Sequence, residues 1–133
     1  MPTQPRSKGK FSREKGKRGE REVVKLLEDA WGILGKWSFR AARVLTESRE
    51  GSMDVECSDA FGRIPVAIQV KNCSAKPGYY MRKAYAEARE KNRGLTPIGF
   101  VKDPKYGWVA IVPPIIAAAG IAAYADWAGK EAR

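Results

Sequence analysis

Four polar residues stand where hydrophobic patterning leaves little room for idle side chains: Glu20, Asp54, Gln69 and Lys71. Glu20 precedes Val23 and Val24 by three and four residues and Leu27 by seven, so on a helix it projects from the apolar side. Asp54 belongs to the alternating run Met53-Asp54-Val55-Glu56-Cys57, and Gln69 and Lys71 share one face of a second alternating run, 64–72. With a turn centred near Phe61 the two runs form an antiparallel hairpin, and Asp54 falls opposite residues 68–70. A carboxylate on one strand, an amide oxygen on its neighbour and the main-chain carbonyl of Val70 are hard oxygen donors suited to Mg²⁺, and Glu20 adds a ligand directly or through water. Such an ion polarises a scissile phosphate and acidifies a water, while Lys71 positions that nucleophile or stabilises the developing negative charge. Glu56 points the same way as Asp54 and reads as an exposed strand carboxylate at the margin of the cluster.

Composition narrows the chemistry further. The chain contains no histidine, which excludes His-based triads, Cys/His nucleophile pairs, zinc–histidine sites and a histidine general base. Cys57 and Cys73 lack zinc-ligand spacing and read as packing thiols of a protein kept in a reducing compartment. A chain of 133 residues holds one core. Its 25 Lys and Arg against 15 Asp and Glu, a net charge of +10, favour a polyanionic partner. The surplus is uneven: the first 21 residues carry eight basic and two acidic side chains, hence +6 of the total. Residues 1–18 therefore read as a basic flexible arm that grips phosphates through Lys15, Lys17 and Arg18, with Arg21 just beyond, and residues 19–133 as the folded domain. The polar, basic opening resembles no secretion signal, and the most apolar stretch, 109–125, is interrupted by two prolines and short for a membrane span. A cytoplasmic protein without a membrane partner is the expectation.

The elements that must position the four residues follow from periodicity. A helix is predicted from Gly19 through Leu34, a strand over 36–44, then the two hairpin strands over 53–59 and 64–72. After Pro77-Gly78 a second helix covers 80–92, its polar side carrying Arg82, Lys83, Arg89 and Lys91. Two further strands, 97–101 and 106–112, flank the turn 102–105, and the Ala-rich segment after Pro113-Pro114 reads as a last helix. The order is that of a mixed sheet flanked by helices.

The ordered set of Gly19-Glu20-Arg21 on a helix, Gly51-Ser52-Met53-Asp54, and Gln69-Val70-Lys71 on a strand resembles the PD-(D/E)XK nuclease superfamily. Within it, the chain looks most like the small archaeal and phage Holliday-junction resolvases, over residues 15–113. The resemblance implies an α/β, restriction-endonuclease-like fold in which a central mixed sheet of about five strands is flanked by helices. It implies a Mg²⁺-dependent endodeoxyribonuclease, with Glu20, Asp54, Gln69 and the Val70 carbonyl at the metal and Lys71 as the catalytic lysine. Ser52 matches a serine beside the scissile phosphate, and Arg43 or Arg49 a loop arginine that contacts DNA. Arg82 and Lys83 would extend the phosphate-binding surface. The implied partner is branched DNA, a four-way junction, cut by a homodimer whose two-fold axis relates two sites. One departure stands out: the family has Glu or Asp where this chain has Gln69. The amide removes a charge yet keeps an oxygen ligand, as in the QXK variant of Mrr-like restriction nucleases, and points to weaker Mg²⁺ binding or a preference for Mn²⁺. The alternatives are a duplex- or end-directed nuclease, Mrr-like or VRR-Nuc-like, and a non-catalytic nucleic-acid-binding protein of the same fold.

Overall fold

The segment that carries Gln69 and Lys71 forms β4 (Val66–Asn72), and Ala67, Ile68, Gln69 and Val70 within it are all buried. A strand buried on both faces belongs in the middle of a sheet. The computed structural model, which describes residues 8–34, 38–44, 53–92 and 94–131, places it there. The elements run α1 (Lys8–Ile33), β1 (Arg40–Arg43), β2 (Val55–Asp59), β3 (Gly62–Arg63), β4, α2 (Pro77–Lys91), β5 (Thr96–Asp103), β6 (Gly107–Ile111) and α3 (Pro114–Glu131). The strand order is β1-β2-β4-β5-β6, with β3 pairing β2. β4 and β5 are parallel, joined by α2 as the crossover, and the other pairs are antiparallel. The expected mixed sheet with flanking helices is thus present, with six strands rather than about five.

The two helices cover opposite faces. Against α1 lies a cluster of Val23, Phe39, Ala41, Val55, Cys57, Ile68, Val70 and Phe100, edged by Leu27, Trp31 and Trp108. Under α2, Ala84 packs with Cys73 and Val101, and Tyr80 and Met81 close its margin. Both cysteines are free and buried, and burial pushes the Cys57 thiol up to about 11, as befits a packing thiol. The β2–β3 pairing (Ser58↔Arg63) and the β2–β4 pairing (Val55↔Ile68) differ in register by two residues, taken up between Ile64 and Ile68. α3 leaves Ile115, Ile121 and Tyr124 exposed. Among the described residues no helix is long and apolar enough to cross a membrane.

Several boundaries differ from those the sequence suggested. The helix expected to open at Gly19 begins at Lys8, so residues 8–18 of the segment read as an arm are helical, while residues 1–7 lie outside the described part. Lys, Arg and Glu are good helix formers, and the two glycines in their midst weaken a helix without ending it. Tertiary contacts then hold this stretch: Asn72 Nδ2 donates to the Lys15 carbonyl at 3.1 Å. Two turns further, Glu22 accepts from Lys102 Nζ at 2.9 Å and from Trp108 Nε1 at 3.1 Å. The Lys102 hydrogen bond holds the Glu22 carboxyl below the usual carboxylate range. Of the strand expected over 36–44, Arg40–Arg43 is a strand and Phe39 before it turns inward to stack on Trp31 at 4.5 Å, while residues 36 and 37 lie outside the described part. α2 starts at Pro77, where a missing N–H costs nothing in the first turn.

Gly19 sits where α1 crosses the end of β4. A Cβ there would lie 3.0 Å from Asn72 Cβ and 3.4 Å from Trp108 Cη2, whereas a Cβ on Gly16 would meet nothing within 4 Å. Gly16→Ala should therefore stabilise the fold by about 1 kcal/mol through helix propensity alone. Gly19→Ala gains the same propensity but overpacks the crossing, and should destabilise by about 1 kcal/mol net. Urea unfolding of both variants checks this; equal gains would mean that α1 is not held at close approach.

Candidate active site

The site begins where the sheet forks. β2 and β4 are joined at Val55↔Ile68, and the Asp54 N–H donates to the Ile68 carbonyl at 2.8 Å. Beyond that point the strands part, and the Asp54 carbonyl accepts from the Val44 N–H at 3.0 Å on the β1 side. The next donor on this edge of β4, the Val70 N–H, is taken by Asp54 Oδ2 at 2.8 Å. Asp54 therefore closes the fork with its side chain in place of a strand. The N–H and C=O of a strand residue leave by the same edge, so the Val70 carbonyl also faces the fork. The bonds to the Ile68 carbonyl and from the Val70 N–H set Asp54 against β4 between Ile68 and Val70, within the window the sequence suggested.

Gln69 and Lys71 lie on the face covered by α2. That helix comes close because β5 offers Gly99, where a Cβ would lie 3.2 Å from Ala84 Cβ and 3.3 Å from the Tyr85 nitrogen. Gln69, paired in register with Gly99, is only 3% exposed. Lys71 Nζ pairs with Glu87 Oε2 at 2.8 Å, both side chains about a fifth to a quarter exposed. On the α1 side, Glu20 Oε2 accepts from Arg43 Nε at 2.8 Å. Two proposed functional groups, Glu20 and Lys71, are thus each held by an opposite charge.

Asp54 is the electrostatic centre of this arrangement. Burial pushes its carboxyl up to about 6; the Val70 N–H and Lys71 oppose the shift, and the negative charges of Glu20 and Glu87 add to it. A carboxylate half withdrawn from water with two like charges nearby is a place where a cation would be welcome. Among the described residues no three Asp, Glu or Cys side chains form a metal-binding group. The donors that fit a hard cation are of mixed kind: the Asp54 carboxylate, the Gln69 amide oxygen and the Val70 carbonyl, with Glu20 available if it leaves Arg43.

The remaining sequence-based assignments divide. Ser52 and Arg49 lie outside the described residues. Arg43, one of the two arginines expected to contact DNA, pairs with Glu20, because it shares the α1 side of the sheet with Ala41. Lys15 borders a groove beside Lys71, and Lys17, Arg18 and Arg21 are exposed along α1. On α2, Lys83 lies 5.9 Å above the Tyr79 ring, and Arg82 lines a separate cleft with Tyr85, Arg89 and Ile111. Glu56 pairs with Arg63 on the exposed end of the hairpin, remote from any ligand role. Glu87 was not anticipated from sequence. Its one signal was its place three residues after Ala84 and one before Ala88, at the edge of the stripe that packs on the sheet.

The raised Asp54 value makes a sign-definite prediction. Its folded pKa of about 6 lies above the unfolded carboxylate value. Below the unfolded value the group is neutral in both states and costs nothing; as pH rises through 6 the folded state must carry a buried charge and loses stability. Asp54→Asn, which can still accept from the Val70 N–H, should therefore stabilise the protein by about 1–3 kcal/mol at pH 8. The gain should shrink towards zero near pH 4. Chemical denaturation in the presence of a chelator at the two pH values checks this, and a pH-independent difference would rule the explanation out.

No protein-family model matches the chain, and no curated protein matches it. Among solved structures, the chain is similar to Hjc of Archaeoglobus fulgidus, a Holliday junction resolvase from an archaeal hyperthermophile, at 22% identity and a TM-score of 0.42, over 73% of this chain and 76% of that one.

Proposed function

We propose that the protein is a metal-dependent, structure-selective endodeoxyribonuclease: a Holliday-junction resolvase that makes paired symmetric nicks in four-way DNA junctions as a homodimer. The observation that carries this reading is the placement of Asp54 in the sheet fork, bonded to the Val70 N–H between Gln69 and Lys71. Asp54, Gln69 and the Val70 carbonyl, joined by Glu20, would hold Mg²⁺ or Mn²⁺. When bound, the ion supplies Lewis-acid polarisation of the phosphate and an acidified water.

The chain's own residues do the rest. Asp54 is fixed by the Val70 N–H, so the fork presents its carboxylate in one orientation. Lys71 supplies a positive charge beside it for the negative charge that builds on the phosphate. Glu87 fixes the Lys71 ammonium through their 2.8 Å pair, and Arg43 fixes Glu20. Exposed basic residues on α1 and α2 bind DNA through phosphates without reading sequence. A second reading, a junction-binding protein without hydrolytic activity, is favoured by the neutral amide at Gln69 and the engagement of Glu20 with Arg43.

A labelled four-way junction and a matched linear duplex, incubated with Mg²⁺, Mn²⁺ or EDTA, separate these readings. Paired symmetric nicks in the junction alone, abolished by EDTA and by Asp54→Asn, are the expected result. Equal cutting of both substrates would replace the resolvase with a general nuclease, and tight binding without cutting would favour the second reading. Cutting at the wild-type rate by Asp54→Asn would remove Asp54 from the chemistry. Glu87→Gln should lower kcat roughly tenfold while leaving junction affinity within twofold, since it loosens Lys71 without deleting it.

A further inference from the structure

A groove of about 690 Å³ opens directly from the Val70-Lys71 end of β4. One wall is α1 at Lys15 and Gly16; the other is the segment from Cys73 to Lys76 with Tyr80 of α2. We propose that this groove seats the phosphodiester backbone of the DNA strand next to the cut phosphate, a role that rests on the nuclease reading for its position relative to the cut but not for its affinity for DNA.

Three features support this assignment. The groove carries Lys15, Lys71 and Lys76 among its lining residues and no acidic side chain. Gly16, in the interior of α1, weakens the helix, yet a Cβ there would meet nothing within 4 Å. Packing therefore does not require the glycine, and its absent side chain leaves the groove open on that wall. Lys76 adopts φ 55° and ψ 52° and is the only non-glycine residue with positive φ among the described residues. Lysine occupies that region at a cost that glycine would avoid, and its side chain forms none of the described ion pairs. A site that tolerates one weakened helical position and one strained backbone position, both bordering a basic groove beside the candidate catalytic lysine, is arranged for a ligand rather than for stability.

The same features make a test in which misfolding cannot imitate the result. Gly16→Glu adds a better helix former and a carboxylate to the groove, and Lys76→Gly removes a charge while relieving the backbone. Both should keep or raise Tm, Lys76→Gly by about 2–5 °C. Binding of a fluorescent four-way junction, read by anisotropy in EDTA across a salt series, should weaken at least about tenfold for each. Lys76→Gly should also lower the salt slope by about one. Lys130→Ala, which removes an equal charge from exposed α3, serves as the comparison and should change affinity less than about twofold. If both groove variants bind as Lys130→Ala does, the groove is not a DNA seat, whatever the protein cuts. If they lose affinity while Asp54→Asn still cuts at the wild-type rate, the groove stands and the catalytic assignment falls.

Discussion

The hydrogen bond from the Val70 N–H to Asp54 Oδ2 is the constraint on which the rest of the site depends. In an uninterrupted sheet that donor would be spent on a neighbouring strand, and the carboxylate would have no reason to leave water. Because β2 ends its pairing with β4 at Val55, the backbone of β4 has a donor to satisfy, and Asp54 is the nearest acceptor. Satisfying it draws the carboxylate into a half-buried position whose electrostatic cost appears as the raised pKa. A local break in the sheet is thus converted into a fixed, poorly solvated anion.

Two helices on opposite faces then bring charges to that anion. α1 presents Glu20, held by Arg43 from β1, and α2 presents Glu87, which holds Lys71 from β4. Neither helix could reach without a glycine beneath or within it: Gly19 admits α1 to Asn72 and Trp108, and Gly99 admits α2 at Ala84. The Glu22–Lys102–Trp108 contacts fix the rotation of α1, one turn from Gly19. Packing distance and charge placement are therefore one problem, solved by the same few small residues.

Much of this was legible in the sequence, and the reasons are local. Period-two alternation in 53–59 and 64–72 set which side chains share a face, and a turn near Phe61 sufficed to place Asp54 opposite residues 68–70. The helix of Glu20 was visible through Val23, Val24 and Leu27. Its start was not, because the basic stretch before Gly19 lacks an apolar stripe and is held by contacts from Asn72, distant in sequence. Alternation put Gln69 and Lys71 on one face of their strand without saying what covers that face. The structure buries Gln69 under α2, a coverage decided by the parallel crossover to β5, which no local pattern encodes. The Arg43–Glu20 pair and the role of Glu87 were not foreseen for a related reason: which charge finds which partner depends on the heights at which helices cross the sheet.

The two-residue register offset between Ile64 and Ile68 carries an implication for how this chain can change over evolutionary time. Because strand side chains alternate, the offset is even, and residues on either side of it keep their faces. Asp54 keeps its place between Ile68 and Val70 only while that parity is kept. A two-residue change in the hairpin would preserve that parity and a one-residue change in the ladder would break it, whatever the residues at the tip. A surface turn of no chemical interest thereby becomes a counter that keeps the fork in phase.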